Sequence, residues 1–127
     1  MDKLKIKSFT DLRAWKEAHL LVLDIYKITN KFPDKERFGL INQIQRAAVS
    51  ISSNIAEGFS RNSNLEKRQF YYQALGSLTE VQNQLLIARD LGYISSKEFK
   101  IIADQSVVVS KLTNGLIKSV KVLSRNT

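Results

Sequence analysis

The chain has 127 residues, 14.5 kDa and a formal net charge of +8, with 43% hydrophobic and 25% charged residues. That is one ordinary domain with enough apolar side chain to bury a core, which excludes a disordered chain. Five Gly and one Pro fall well short of the ~12% these two usually supply, so an architecture of short strands and tight turns is excluded in favour of long helices.

The punctuation predicts four helices. Thr10 or Asp11 can cap the first, which stops near Phe32-Pro33, where the residue before Pro is pushed away from helical angles. The second runs from about Asp34 to Arg61, with a break near Gly39. Ser63-Asn64-Leu65-Glu66 reads as a capping box opening the third, which reaches about Leu91 with Gly92 as a left-handed C-cap. Ser95-Ser96-Lys97-Glu98 is a second capping box, and the fourth helix continues to about Leu123. No linker, low-complexity tract or internal repeat interrupts residues 1–127, and residues 1–10 read as a basic arm carrying Lys3, Lys5 and Lys7.

Each segment carries an apolar seam in alternating three- and four-residue steps. They are Trp15, Ala18, Val22, Ile25, Thr29, Phe32; then Ile41, Ile44, Ala48, Ile51, Ile55, Gly58; then Tyr71, Ala74, Leu78, Val81, Leu85, Ala88; then Phe99, Ile102, Ser106, Val109, Thr113, Leu116, Val120, Leu123. A 3.5-residue period is the packing pattern of a left-handed helical bundle. Short connections make neighbours antiparallel, so the predicted fold is all-α, an up-down-up-down four-helix bundle. Trp15, a seam residue, is expected to be buried.

The fourth helix carries two further stripes. With Phe99 at heptad position a, position c holds Ile101, Val108, Gly115 and Val122. That second apolar row faces away from the bundle centre, with Leu112 and Ile117 also off the seam, and predicts an interface with another copy. Position f holds Lys97, Asp104, Lys111, Lys118 and Arg125, with Lys121 alongside at b. Lys111, Lys118, Lys121 and Arg125 are the leading candidates for contacts with nucleic-acid phosphates, through release of condensed counterions. Arg61, Lys67 and Arg68 form a second basic cluster. The bland account of these cations is a solvated helix face near the negative end of its dipole.

Catalysis has little to work with. No Cys is present, and His19 is the sole His, so thiolate chemistry and a multi-histidine metal site within one chain are excluded. No Glu or Asp precedes His19 by three residues, which removes the carboxylate–histidine motif of di-metal bundles. Glu57 and Arg61 are four apart and pair along one helix face. The glycines never cluster into a phosphate-cradling loop. The expectation is a non-enzyme without metal or cofactor. With no span-length apolar run and no apolar segment of signal type behind the basic arm, a cytoplasmic location without membrane contact is expected.

The residues also carry a family resemblance. Phe9-x-Asp11-Leu12-x-x-Trp15 opens the chain, followed by Phe32-Pro33-x-x-Glu36-x-Phe38-Gly39-Leu40-x-x-Gln43-x-x-Arg46-Ala47. Ser50-Ile51-x-x-Asn54-Ile55-Ala56-Glu57-Gly58-x-x-Arg61 is the most specific stretch. Phe70-Tyr71-x-x-Ala74-x-Gly76-Ser77-x-x-Glu80 and Leu91-Gly92-Tyr93-Ile94 complete it. The chain resembles the four helix bundle protein family, also called the 23S rRNA intervening-sequence protein family, up to about Ile94; the fourth helix agrees only in pattern. Ser52 stands where many relatives carry Pro, which weakens an expected kink. The resemblance implies a ring-shaped homopentamer of four-helix bundles, encoded within insertions in large-subunit rRNA genes. One branch serves as a basic accessory subunit of diversity-generating reverse transcriptases, binding enzyme and RNA. The leading expectation is therefore a basic oligomer that binds structured RNA by charge and shape. The alternative is an interaction scaffold docking an acidic or nucleic-acid-bound partner such as a reverse transcriptase.

Overall fold

The computed structural model describes residues 5–120. Four helices follow in order: α1 (Arg13–Thr29), α2 (Leu40–Ser60), α3 (Asn64–Asp90) and α4 (Ser96–Ser119). Short 3-10 turns at Phe9–Asp11 and Asp34–Glu36 precede α1 and α2, and no strand occurs among the described residues. α2 packs on α1 and α3, and α4 packs on α3 and α1, so α1 and α3 stand at diagonal corners. This is the up-down-up-down four-helix bundle that the seams predict.

The helix ends follow local chemistry, with one correction. Neither Thr10 nor Asp11 caps α1. Ser8 instead caps the 3-10 turn, accepting from the Thr10 N–H while the Asp11 carboxylate accepts from the Lys7 and Ser8 N–H groups. α1 then starts at Arg13 after Leu12, which has no side-chain cap. The predicted break near Gly39 is present: a 3-10 turn ends at Glu36, and α2 starts at Leu40, whose N–H donates to Glu36 Oε1 at 3.1 Å. α2 continues unbroken through Ser52.

Ser63 Oγ accepts from the Glu66 N–H, and the box at Ser95 and Glu98 is closed in both directions. After α3, Gly92 adopts φ +80°. The Tyr93 N–H reaches the Ala88 carbonyl and the Gly92 N–H the Arg89 carbonyl, the paired bonds of a Schellman stop. The left-handed angle costs Gly little because it has no Cβ.

The core is built from the seams. All six α3 seam residues are buried, as are Ala18, Ile25, Ile44, Ala48, Ile51, Ile55, Ile102 and Val109. The polar seam residues are satisfied locally. Thr29 donates to the Tyr26 carbonyl and accepts from Gln45, Ser106 donates to the Ala103 carbonyl and accepts from Gln82, and Thr113 donates to the Val109 carbonyl. Trp15 is a correction: it is half-buried at the edge of the core, with its ring against Phe9 at 5.3 Å and stacked on exposed His19 at 4.7 Å. Ile117 is a second correction. It is 6% exposed and buried in the chain's own interior, and Leu112 is partly buried against the core. A globular bundle buries a wider stripe than the two seam positions of a heptad.

Candidate nucleic-acid interface

The up-down course brings distant parts of the sequence to the same end of the bundle. The N-terminus of α1, the C-terminus of α2, the N-terminus of α3 and the C-terminus of α4 all lie at one end. Among the described residues, Lys5, Lys7, Arg13, Lys16, Arg61, Lys67, Arg68, Lys111 and Lys118 stand there against only Asp11, Glu17, Glu57 and Glu66. At the opposite end Lys27, Lys31, Lys35, Arg37, Arg89, Lys97 and Lys100 are nearly balanced by Asp24, Asp34, Glu36, Asp90, Glu98 and Asp104. The positive charge is therefore concentrated at the α2–α3 end rather than spread over the surface.

The two clusters at this end differ in character. Lys111 and Lys118 are exposed on the outward face of α4 and make no ion pair among the described residues. Lys121, Arg125 and the interface candidate Val122 lie outside the described residues, as does Lys3. Arg61, Lys67 and Arg68 are instead half-buried and fastened to the α2–α3 turn. Arg61 Nη2 donates to Glu57 Oε2 at 2.8 Å, the predicted pair, while its guanidinium lies 4.6 Å from the Phe70 ring. Lys67 Nζ donates to the Phe59 carbonyl at 2.6 Å, closing the end of α2, and sits 5.3 Å from the Phe59 ring. Arg68 lies over the Tyr72 ring at 5.8 Å and donates to its hydroxyl at 3.3 Å. The Nε atoms of Arg61 and Arg68 are buried without hydrogen-bond partners.

This gives a graded surface: exposed lysines on α4, and cations held on aromatic faces at the turn. Such held cations lose little side-chain freedom when an anion arrives, because packing has already ordered them. Arg13 and Lys16, exposed on the first turns of α1, join the same end although the sequence reading did not single them out. Their spacing alone places them on a solvent face; only the direction of α1 in the bundle sets them beside the α2–α3 turn.

The shifted acids all have capping or bridging explanations. Two backbone N–H groups lower Asp11. The Tyr93 hydroxyl and the Leu40 N–H lower Glu36. The Lys31 ammonium and the Ser95 backbone hold Glu98 down at about 2. Burial raises Tyr71, and Glu36 raises Tyr93. Among the described residues no cluster of His, Cys, Asp and Glu could hold a metal, and no helix is long and apolar enough to cross a membrane.

The interface candidates on α4 also have defined surroundings. Ile101 is 60% exposed and Val108 39%. A Cβ added at Gly115 would meet nothing within 4 Å, and the same holds at Gly76 on α3.

Fold and surface together define a basic, all-helical bundle with its charge gathered at one end. Residues 10–115 match the family described as 23S rRNA-intervening sequence protein, and the chain belongs to that family. Among solved structures it is similar to a protein of unknown function from the S23 ribosomal protein family of Bacteroides thetaiotaomicron VPI-5482. That likeness has a TM-score of 0.74 at 23% sequence identity, covering 83% of this chain and 98% of the other. At this identity the likeness establishes the shared fold. No curated protein matches.

Proposed function

We propose that this chain is a non-enzymatic, self-associating cytoplasmic bundle that binds structured RNA through charge and shape. The observation that carries the reading is the concentration of basic residues at the α2–α3 end, where Lys111 and Lys118 are exposed at the same end of the bundle as the cations of the turn. Each phosphate neutralised there releases condensed counterions, which is a sequence-independent source of affinity. Contacts to phosphate and ribose position a protein without reading bases, and structured RNA is recognised mainly by shape and 2′-hydroxyls. Self-association would repeat the basic end and multiply its field. The exposed Ile101 and Val108 supply the apolar contact for that association.

The test is fluorescence anisotropy with labelled structured RNA over a range of salt. Binding should weaken steeply as salt rises, by roughly 0.9 in log affinity per log salt for each duplex phosphate neutralised. Changing Lys111, Lys118, Lys121 and Arg125 together to Gln should weaken binding to unrelated RNA sequences alike and flatten the salt slope. Absence of wild-type binding at low salt would overturn the reading and leave the docking of a protein partner as the role of this end. Light scattering on the pure protein should give a mass several times 14.5 kDa.

A further inference from the structure

Gly76 stands in the middle of α3 without a reason in the chain's own packing. A Gly inside a helix weakens it relative to Ala, and close packing is the usual compensation. Gly58 has that compensation, since a Cβ there would meet Tyr71 at 2.6 Å. A Cβ at Gly76 would meet nothing within 4 Å, and Gly76 is exposed. The missing side chain leaves open space on the outer surface of α3.

An aromatic ring borders that space. Tyr72, one turn before Gly76, is 52% exposed. Arg68, one further turn back, lays its guanidinium over the ring at 5.8 Å and donates to the hydroxyl at 3.3 Å. Arg68, Tyr72 and Gly76 thus form one row of neighbours at four-residue spacing along the helix surface. The cation holds the ring from the residue before it, and the residue after it in the row brings no side chain. Residues 69–79 carry no charge, and exposed Gln69, Gln73 and Thr79 put neutral hydrogen-bonding groups on the same stretch. Arg61, Lys67 and Arg68 stand at its N-terminal border. Gly115 on α4 is equally open, but Lys111, not a ring, precedes it by one turn.

A flat aromatic face with cations at its border suits an unpaired nucleotide, whose base stacks while its phosphate meets the positive charge. We infer that Tyr72 stacks one unpaired base of a bound RNA, with the base over Gly76 and an adjoining phosphate on Arg68. The inference rests on the RNA binding proposed above and names a nucleotide class that phosphate contacts alone do not select. Arg68 orders the ring before the base arrives, so little side-chain freedom is lost on binding.

Two labelled RNA duplexes test this, alike except at one bulged position. One carries an unpaired adenosine there and the other an abasic nucleotide. Their phosphates are equal in number, so counterion release is matched. In fluorescence anisotropy the wild type should bind the adenosine RNA about tenfold tighter, the scale of one base–aromatic stack. Tyr72→Phe should keep that preference. Tyr72→Ala and Gly76→Leu should abolish it while binding the abasic RNA as the wild type does. The open space at Gly76 lets the second variant fold, which circular dichroism checks. Equal binding of the two RNAs by the wild type overturns the stacked base while the RNA reading stands. A preference that survives both Tyr72→Ala and Gly76→Leu overturns its place. Binding of neither RNA at low salt overturns both readings. If Gly76→Leu keeps the RNA preference and instead lowers the mass in light scattering, the open space belongs to a contact between copies and the inference falls.

Discussion

A Cβ placed on Gly58 would stand 2.6 Å from Cε1 of Tyr71, so α2 and α3 meet here with a ring laid directly on helix backbone. Tyr71 is 2% exposed and Phe70 closes the other side, which leaves the ring little room to retreat. Gly58→Ala gains about 1 kcal/mol in helix propensity but overpacks the seam at a cost of about 1–3 kcal/mol. The expected net result is destabilisation in urea unfolding. Combining it with Tyr71→Leu should cost less than the sum of the two single changes, because the smaller side chain relieves the clash. Additive losses would show that the two residues are not coupled.

Glu98 ties the start of α4 to the end of α1 through Lys31, and it also caps its own helix by accepting from the Ser95 N–H. Its folded-state pKa is lowered from 4.5 to about 2. A depressed carboxylate contributes stability above its unfolded value and loses it as pH falls through the folded value. The unfolding midpoint should therefore drop between about pH 4.5 and pH 2, and Glu98→Gln should flatten that decline. Measuring the urea midpoint against pH for both proteins provides the check; identical profiles would remove Glu98 as a source.

Lys67 separates structural from binding charge. Its ammonium closes the Phe59 carbonyl at the end of α2, so Lys67→Met should destabilise the fold by about 1 kcal/mol, the scale of one hydrogen bond. Lys111→Gln with Lys118→Gln should leave stability within about 0.5 kcal/mol per site, as for exposed surface changes, and weaken RNA binding. Lys35→Gln with Lys97→Gln, at the balanced end, removes the same charge and should weaken RNA binding far less. Equal losses from the two pairs would show that net charge, and not its place, governs binding.

Trp15 lies half-buried between Phe9 and His19. Full truncation of a core aromatic costs about 3–5 kcal/mol. Trp15→Ala should cost less, about 2 kcal/mol, because part of the indole is already in water. A loss at the full core value, measured by urea unfolding, would place the ring deeper than the structure does.

Much of the fold was legible along the chain because helices are local. The 3.5-residue seams, the caps at Ser63 and Ser95 and the left-handed stop at Gly92 depend on residues within a turn or two. The start of α1 was misread because Ser8, Thr10 and Asp11 are all capable caps, and the choice came from which backbone N–H groups the 3-10 turn left free. Trp15 and Ile117 were misplaced for a related reason: periodicity gives a direction around a helix, but neighbouring helices decide how wide a face is covered.

The sequence by itself determined four amphipathic helices, their antiparallel order and a surplus of positive charge, since each follows from composition, short-range capping and connection length. Only the tertiary structure decided that the surplus gathers at the α2–α3 end, that Arg61 and Lys67 are fastened there, and that Gly58 lies against a ring of the neighbouring helix while Gly76 and Gly115 stand open. The physical reason is that charge position and close approach are relations between residues on different helices. Lys7, Arg61 and Lys118 are far apart along the chain and share one end only because four rigid rods run alternately up and down.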